Sequence, residues 1–224
     1  RGWSLADRLG LLRVAAGWAL RRFRCDPAAS VDDLTRGLSP AVRRSLIDPL
    51  CVAALNTPAD RASGQVFLRV LRDALFSGRG SADLLLPRTD LSVLLPDAVA
   101  PWLTAKGAEV RLSARARRLE RAGSGWSLAD EPFDRVILAC SASEAARLCG
   151  DCAPEWAATA AAFDYEPIIT VLLHSRGTRL AQPMTVLASD DAAPAQFVFD
   201  LGAIDGGGVR DGWFSFVVSG ARKW

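Results

Sequence analysis

Cys149-Gly-Asp-Cys152 places two thiols where they could share a metal ion or exchange electrons as a dithiol. No second pair accompanies it, His174 is the only imidazole, and the motif follows a helical stretch where a redox motif would open one. Ordinary helix-end cysteines are therefore the plainer reading. His174 closes an apolar strand beside Ser175-Arg-Gly177, a setting for a structural or solvent-facing ring. A serine nucleophile needs a base, and one histidine with no nucleophile elbow argues against a hydrolase triad. Walker, metalloprotease-helix and calcium-loop patterns are missing too. Asp32-Asp33 lies at a helix start and Asp190-Asp191 in a turn, where capping and solvated roles are the default. Gly206-Gly-Gly208 lacks the strand-then-helix context of a phosphate cradle and reads as a flexible turn. The side chains advertise no catalytic group. Any chemistry would then belong to a bound cofactor, for which protein supplies shape, orientation and electrostatics.

The elements available to position such a cofactor follow from composition. At 224 residues and 50% apolar, the chain can bury a substantial core as one large domain or two lobes. A net charge of +2 predicts neither nucleic-acid binding nor an acidic partner. Five scattered cysteines give no disulfide framework and suit the reduced thiols of a cytoplasmic protein. No apolar run approaches the roughly 18–20 residues of a membrane-spanning helix. The abrupt ends, Arg1 and Lys223-Trp224, suggest a piece of a longer protein.

The first hundred residues read as helical. Ser4-Leu-Ala-Asp7 has capping-box spacing and predicts a helix to about Phe23. Leu5, Leu9, Leu12, Ala16, Ala19, Leu20 and Phe23 form its apolar stripe, flanked by Arg8, Arg21, Arg22 and Arg24. Such a helix either packs on a core or lies peripherally on the inner face of a membrane. Ser30-Val-Asp-Asp33 repeats the cap, and Ser39-Pro40 opens a helix expected to end at Asp48-Pro49. A further helix carries Val66, Phe67, Val70, Leu71 and Leu75 on one face. Two more follow at Asp90–Leu95 and Asp97–Lys106.

Gly107 stops the last of these, and the pattern changes. Glu109–Leu112 alternates like a strand, Ala116–Arg121 and Gly125–Leu128 read as a hairpin, and Arg135-Val-Ile-Leu-Ala139 suits a strand covered on both faces. No glycine-rich strand-turn-helix precedes it to supply parallel neighbours, so the fold lacks some of its partners. After helices at Ser143–Leu148 and Pro154–Ala162, the chain becomes antiparallel β, with strands at Pro167–His174, Met184–Ala188, Gln196–Asp200 and Trp213–Ser219.

Asp48-Pro-Leu-Cys-Val-Ala-Ala-Leu-Asn-Thr-Pro58, Ala62-Ser-Gly-Gln-Val-Phe67 and Asp83-Leu-Leu-Leu-Pro-Arg88 with Asp90-Leu-Ser92 resemble the squalene-associated FAD-dependent desaturases. These are the hydroxysqualene dehydroxylases of hopanoid biosynthesis, within the flavin amine oxidase and phytoene desaturase superfamily. Gly107–Leu119 and Asp134–Ser141 look like that superfamily's returning segment. The resemblance implies an α/β fold of the FAD-dependent amine-oxidase kind: an incomplete dinucleotide-binding lobe plus a helical and antiparallel-sheet (α+β) substrate lobe. It divides the chain into 1–106, the helical part of the substrate lobe, 107–150, the returning segment, and 151–224, the sheet part.

The same resemblance puts the adenine contact on the main chain of Ala116, where valine is usual, and the end of the buried strand, Ala139, Cys140 and Ser141, against FAD. The family's amino-terminal dinucleotide fingerprint and carboxy-terminal flavin-contacting segment have no counterpart in these residues, so tight FAD binding or turnover by this piece alone is not expected. The implied reaction removes a hydroxyl from a C30 isoprenoid alcohol: water leaves, a delocalised carbocation remains, and reduced flavin delivers hydride to give squalene. That calls for an apolar tunnel with few ionisable walls. Leu55, Phe67, Leu71, Val171, Leu173, Phe197 and Phe199 are its candidate lining, with plain core as the alternative. Asn56 and Arg88 could orient the hydroxyl; helix capping and a surface ion pair compete with that role. Desaturation of a carotenoid-like polyene and a non-enzymatic lipid-binding module are the competing functions.

Overall fold

The computed structural model describes residues 2–206 and 208–224. Gly207 of the expected glycine turn, and Arg1, lie outside the described residues. Local chemistry sets the helix starts. Ser4 accepts from the Asp7 amide while Asp7 accepts from the Ser4 amide, opening α1 (Leu5–Leu20), and Ser30 and Asp33 do the same for α2 (Val31–Thr35). Ser39 caps α3 (Pro40–Val42).

The helix expected to end at Asp48-Pro49 instead runs on through a π turn, Arg43–Ile47, into α4 (Asp48–Leu55). Proline removes a donor and crowds the carbonyl four residues back. The wider turn, in which the Asp48 amide reaches the Arg43 carbonyl, accommodates it. The same widening lets Val42, Ile47 and Cys51 all point inward. Next come α5 (Gly64–Leu75), α6 (Leu91–Leu94) and α7 (Pro96–Ala105). Gly64 is required by close approach, since a Cβ there would stand 2.8 Å from the Ala29 carbonyl.

Then follow β1 (Leu119–Ala122), β2 (Gly125–Leu128), β3 (Glu131–Phe133), α8 (Ala142–Cys149) and α9 (Pro154–Ala161). The chain closes with β4 (Ile169–His174), β5 (Met184–Val186), β6 (Phe197–Asp200), α10 (Leu201–Asp205), β7 (Trp213–Val218) and a 3-10 turn at Ala221–Lys223. Two compact units result: one runs to Leu94 and resumes over Glu166–Trp224, and the other is Leu95–Tyr165. Both mix helix with antiparallel sheet.

In the first unit, α1 to α5 enclose a core built on Trp18, Val31, Val42, Ile47, Cys51, Phe67, Leu68 and Leu71. Its sheet has the order β4-β7-β6-β5, every pair antiparallel, with Ile169 opposite Val218 and Phe197 opposite Val217. The α1 stripe expected to pack inward faces out. Leu5, Leu9, Leu12 and Leu20 are exposed, while Leu11, Val14, Ala15 and Trp18 meet the core. Because α1 is apolar around most of its circumference, periodicity alone cannot choose its buried side.

In the second unit, β1-β2-β3 form a meander. Its first turn is Gly123-Ser124. Its second, Ala129-Asp130, holds both residues at positive φ, the geometry of a two-residue hairpin turn, and produces the strand β3 that residue chemistry did not announce. A Cβ on Gly125 would lie 2.6 Å from the Phe133 carbonyl, so the β2–β3 edge demands glycine there. Helices α8 and α9 cover β1 through Leu119, Ala146, Leu148, Ala157 and Ala160. Glu109–Leu112 is not a strand: Arg111 binds both Glu109 and Glu131, and the backbone has no ladder partner.

Arg135–Ala139 also runs outside any ladder. Val136 and Leu138 pack on the unit's core, whereas Ile137 is 92% exposed. A run apolar enough for two covered faces therefore has only one.

Candidate functional site

Ala116 sits half-buried at the rim of a cleft of about 420 Å³, with Ala114, Leu128, Ala129 and Phe133 as apolar walls. Arg111 forms the charged end. Its Nε and Nη2 donate to the two Glu109 oxygens at 2.6 and 2.8 Å, and its Nη1 donates to Glu131 at 2.5 Å. The Arg111 hydrogen bond holds Glu109 below the usual carboxylate range, so this end carries two carboxylates on one guanidinium and keeps an excess of negative charge.

Behind the cleft, Arg147 of α8 donates to the carbonyls of Ala116 at 2.9 Å and Arg117 at 2.8 Å. Glu144 fixes Arg147 at 3.0 Å and takes Arg115 at 2.9 Å; the Arg147 hydrogen bond draws the Glu144 carboxyl down. The carbonyls of Ala116 and Arg117 are thus clamped by one arginine. The Ala116 amide has no partner among the described residues. A flat polar ring held by main chain, with a small side chain allowing close approach, fits this arrangement. Ala139, Cys140 and Ser141 lead into the other end of α8. All three are exposed, and the Ser141 hydroxyl caps the helix by accepting from the Glu144 amide. Ser141 and Arg147 are separated by about 9 Å of helix rise, so one helix organises both stretches. Arg147 gave no signal in the sequence beyond its i,i+3 spacing from Glu144.

The five residues expected at the substrate do not share a cavity wall. Phe67 and Leu71 are sealed in the helical core of the first unit, with Leu55 packed at its margin. Asn56 caps α4 in the left-handed conformation, φ +49°. Its Nδ2 donates to the Glu166 carbonyl at 2.6 Å and its Oδ1 accepts from the Gly220 amide at 2.7 Å. Arg88 is exposed, with Nη2 3.3 Å from the point a Cβ on Gly206 would occupy. Val171 and Leu173 lie open on β4, an edge strand, while Phe197 and Phe199 are half-buried on β6. The apolar strand residues offer an open sheet edge; they do not enclose a tunnel. His174 packs against Trp213, ring centroids 4.8 Å apart, which accounts for it structurally.

Glu166, like Arg147, is a residue that sequence reasoning missed. Its side chain is 9% exposed, and Oε2 accepts from Arg61 at 3.1 Å and Arg222 at 3.0 Å. Burial works to raise this carboxyl, but the hydrogen bonds and charges of Arg61 and Arg222 outweigh it and hold it below the usual range. Its partners come from positions 105 and 56 residues away, and no local pattern announces such a node. The cysteines are quiet by comparison. Burial pushes Cys51 up to about 11 and also raises Cys149, beside Cys152, and among the described residues no group of three ligating side chains could hold a metal.

No known protein-family model matches the chain. A hydroxysqualene dehydroxylase from Sinorhizobium fredii (strain NBRC 101917 / NGR234) is 31% identical over 131 residues, covering 54% of this chain and 31% of that protein. The likeness read from the motif blocks is borne out by this match. The chain spans about a third of the relative's length, at 31%.

Proposed function

We propose that this chain is the middle portion of an FAD-dependent oxidoreductase that reductively removes the hydroxyl of hydroxysqualene to give squalene. The observation that carries this reading is the 31% identity to a hydroxysqualene dehydroxylase over 131 residues. The uncovered side of Arg135–Ala139 supports it, because a doubly apolar run with one bare face suits a sheet completed by further strands. In this reading 107–150 returns to the flavin lobe, and 1–106 with 151–224 build the substrate lobe. The Ala116 main chain holds the adenine, and Ala139, Cys140 and Ser141 lie against the cofactor. FAD, when bound and reduced, supplies hydride.

This chain's own residues do the rest by shape. Leu55, Phe67 and Leu71 set the form of the helical wall from within the core, and Asn56 holds that wall to the sheet. Arg88, an exposed residue beside Gly206, orients the hydroxyl group in this reading. The full-length protein purified with flavin absorbance, and forming squalene from hydroxysqualene in the presence of reduced flavin, is the expected result. A product with added double bonds and an intact hydroxyl would instead identify a polyene desaturase. Failure to bind flavin after reconstitution would remove both enzymes and leave a lipid-binding module.

A further inference from the structure

The outward face of α1 has no use in the flavoprotein reading, and its geometry is specific. At about 100° per residue, Leu5, Leu9, Leu12, Ala16, Ala19 and Leu20 fill one arc about 100° wide, and the helix extends about 24 Å. The leucines are 74, 57, 65 and 86% exposed, while the opposite side, through Leu11, Val14 and Trp18, is committed to the core. Among the described residues nothing covers this strip, and an apolar strip of this size marks a contact surface.

The charges at its edges indicate which. Arg8 lies about 20° beyond one edge of the arc and Arg13 about 20° beyond the other. Arg21, Arg22 and Arg24 gather just past the helix end. All five are exposed, and among the described residues none is in an ion pair. The helix's one carboxylate, Asp7, is tied up in the capping box. A protein cover would have to bring carboxylates to meet these arginines. A sheet of phosphates meets them without further design, since arginine stems bury beside apolar residues while the guanidinium groups reach outward. At the same end of α1, half-buried Phe23 meets exposed Phe76 at a tilt, with centroids 5.0 Å apart, and Phe76 adds aromatic surface of the kind that settles at lipid interfaces. Among the described residues no helix is long and apolar enough to cross a membrane, so the contact is one of lying on the surface.

We propose that the exposed face of α1 docks on an anionic phospholipid surface, with Leu5, Leu9, Leu12 and Leu20 entering the headgroup–acyl boundary and the arginines on lipid phosphates. The test is sedimentation of the full-length protein with vesicles of phosphatidylcholine, alone or mixed with phosphatidylglycerol. Binding is expected to the mixed vesicles and to weaken with salt. Arg8→Gln with Arg13→Gln should lower partitioning on the order of 30-fold, and Leu9→Asp with Leu12→Asp should abolish it. Both pairs are exposed, so circular dichroism and melting should match the parent. Equal binding to neutral vesicles, or unchanged binding by either double variant, would overturn the proposal. So would absence of binding to either vesicle, or a dimer that the leucine variant dissolves without vesicle binding; the dimer would mean that α1 is covered by protein.

Discussion

The Gly220 amide donates to Asn56 Oδ1 at 2.7 Å across 164 residues of chain. With Asn56 Nδ2 on the Glu166 carbonyl, one side chain ties the end of α4 to both the entry and the exit of the β4–β7 pair. Both residues at this bond have positive φ, +49° at Asn56 and +62° at Gly220, so the tie depends on backbone shapes that few residues adopt. The polar residue of a motif block that suggests hydroxyl recognition is thereby occupied in holding helices to sheet.

Asn56→Ala should cost about 2–4 kcal/mol, since it leaves a donor and an acceptor unpaired and puts a less tolerant residue in the left-handed region. Asn56→Gly should cost less, because only the hydrogen bonds go. Urea unfolding of the two variants ranks them; equal losses would remove the backbone part of this account.

The Glu166 carboxyl sits below its unfolded value, so its contribution is fully present above about pH 4.5 and is lost as pH falls through the lower folded value. Glu166→Gln should be less stable than the parent at pH 7, with the gap closing toward pH 3. Denaturant midpoints at the two pH values test this, and a gap independent of pH would contradict it.

Phe67 is fully enclosed. Phe67→Ala should destabilise the first unit by about 3–5 kcal/mol, as expected for a truncated core aromatic. Phe67→Leu should recover most of that. If the alanine variant kept its melting temperature and altered only substrate handling, Phe67 would be a ligand wall and not core.

Gly125→Ala meets the Phe133 carbonyl and should cost about 1–3 kcal/mol, with loss of exchange protection confined to the β2–β3 edge. Ser124→Ala, one residue earlier in an open turn, serves as the neutral control.

Thiol labelling at pH 8 should modify exposed Cys140 promptly and spare Cys51, whose thiol is buried and raised to about 11, until the protein unfolds. Labelling of Cys51 at the rate of Cys140 would mean that the helical core opens readily.

Residue order alone settled what is decided within a few positions. Ser4 with Asp7 and Ser30 with Asp33 had to start helices, Gly123-Ser124 had to turn, and the β-branched and aromatic stretches after Pro167 had to be strands, because each choice rests on atoms within about four residues; which strands pair was not so decided, since β4 meets β7 with β5 and β6 between them in the chain. The motif blocks Asp48–Pro58, Ala62–Phe67 and Asp83–Arg88 were enough to suggest the likeness to hydroxysqualene dehydroxylases.

Tertiary structure decided which surfaces those elements hide. Nothing in Leu5–Leu20 says that Trp18, and not Leu9, turns inward, because both sides of the helix are apolar and the choice belongs to Val31, Val42 and Phe67 beyond it. Asn56 could cap, orient a ligand or bridge, and only the arrival of Glu166 and Gly220 added the bridge to its place as the cap of α4. Glu166 and Arg147 were invisible for the same reason: their partners are assembled from distant stretches of the chain, and a hydrogen bond needs coordinates that spacing does not supply.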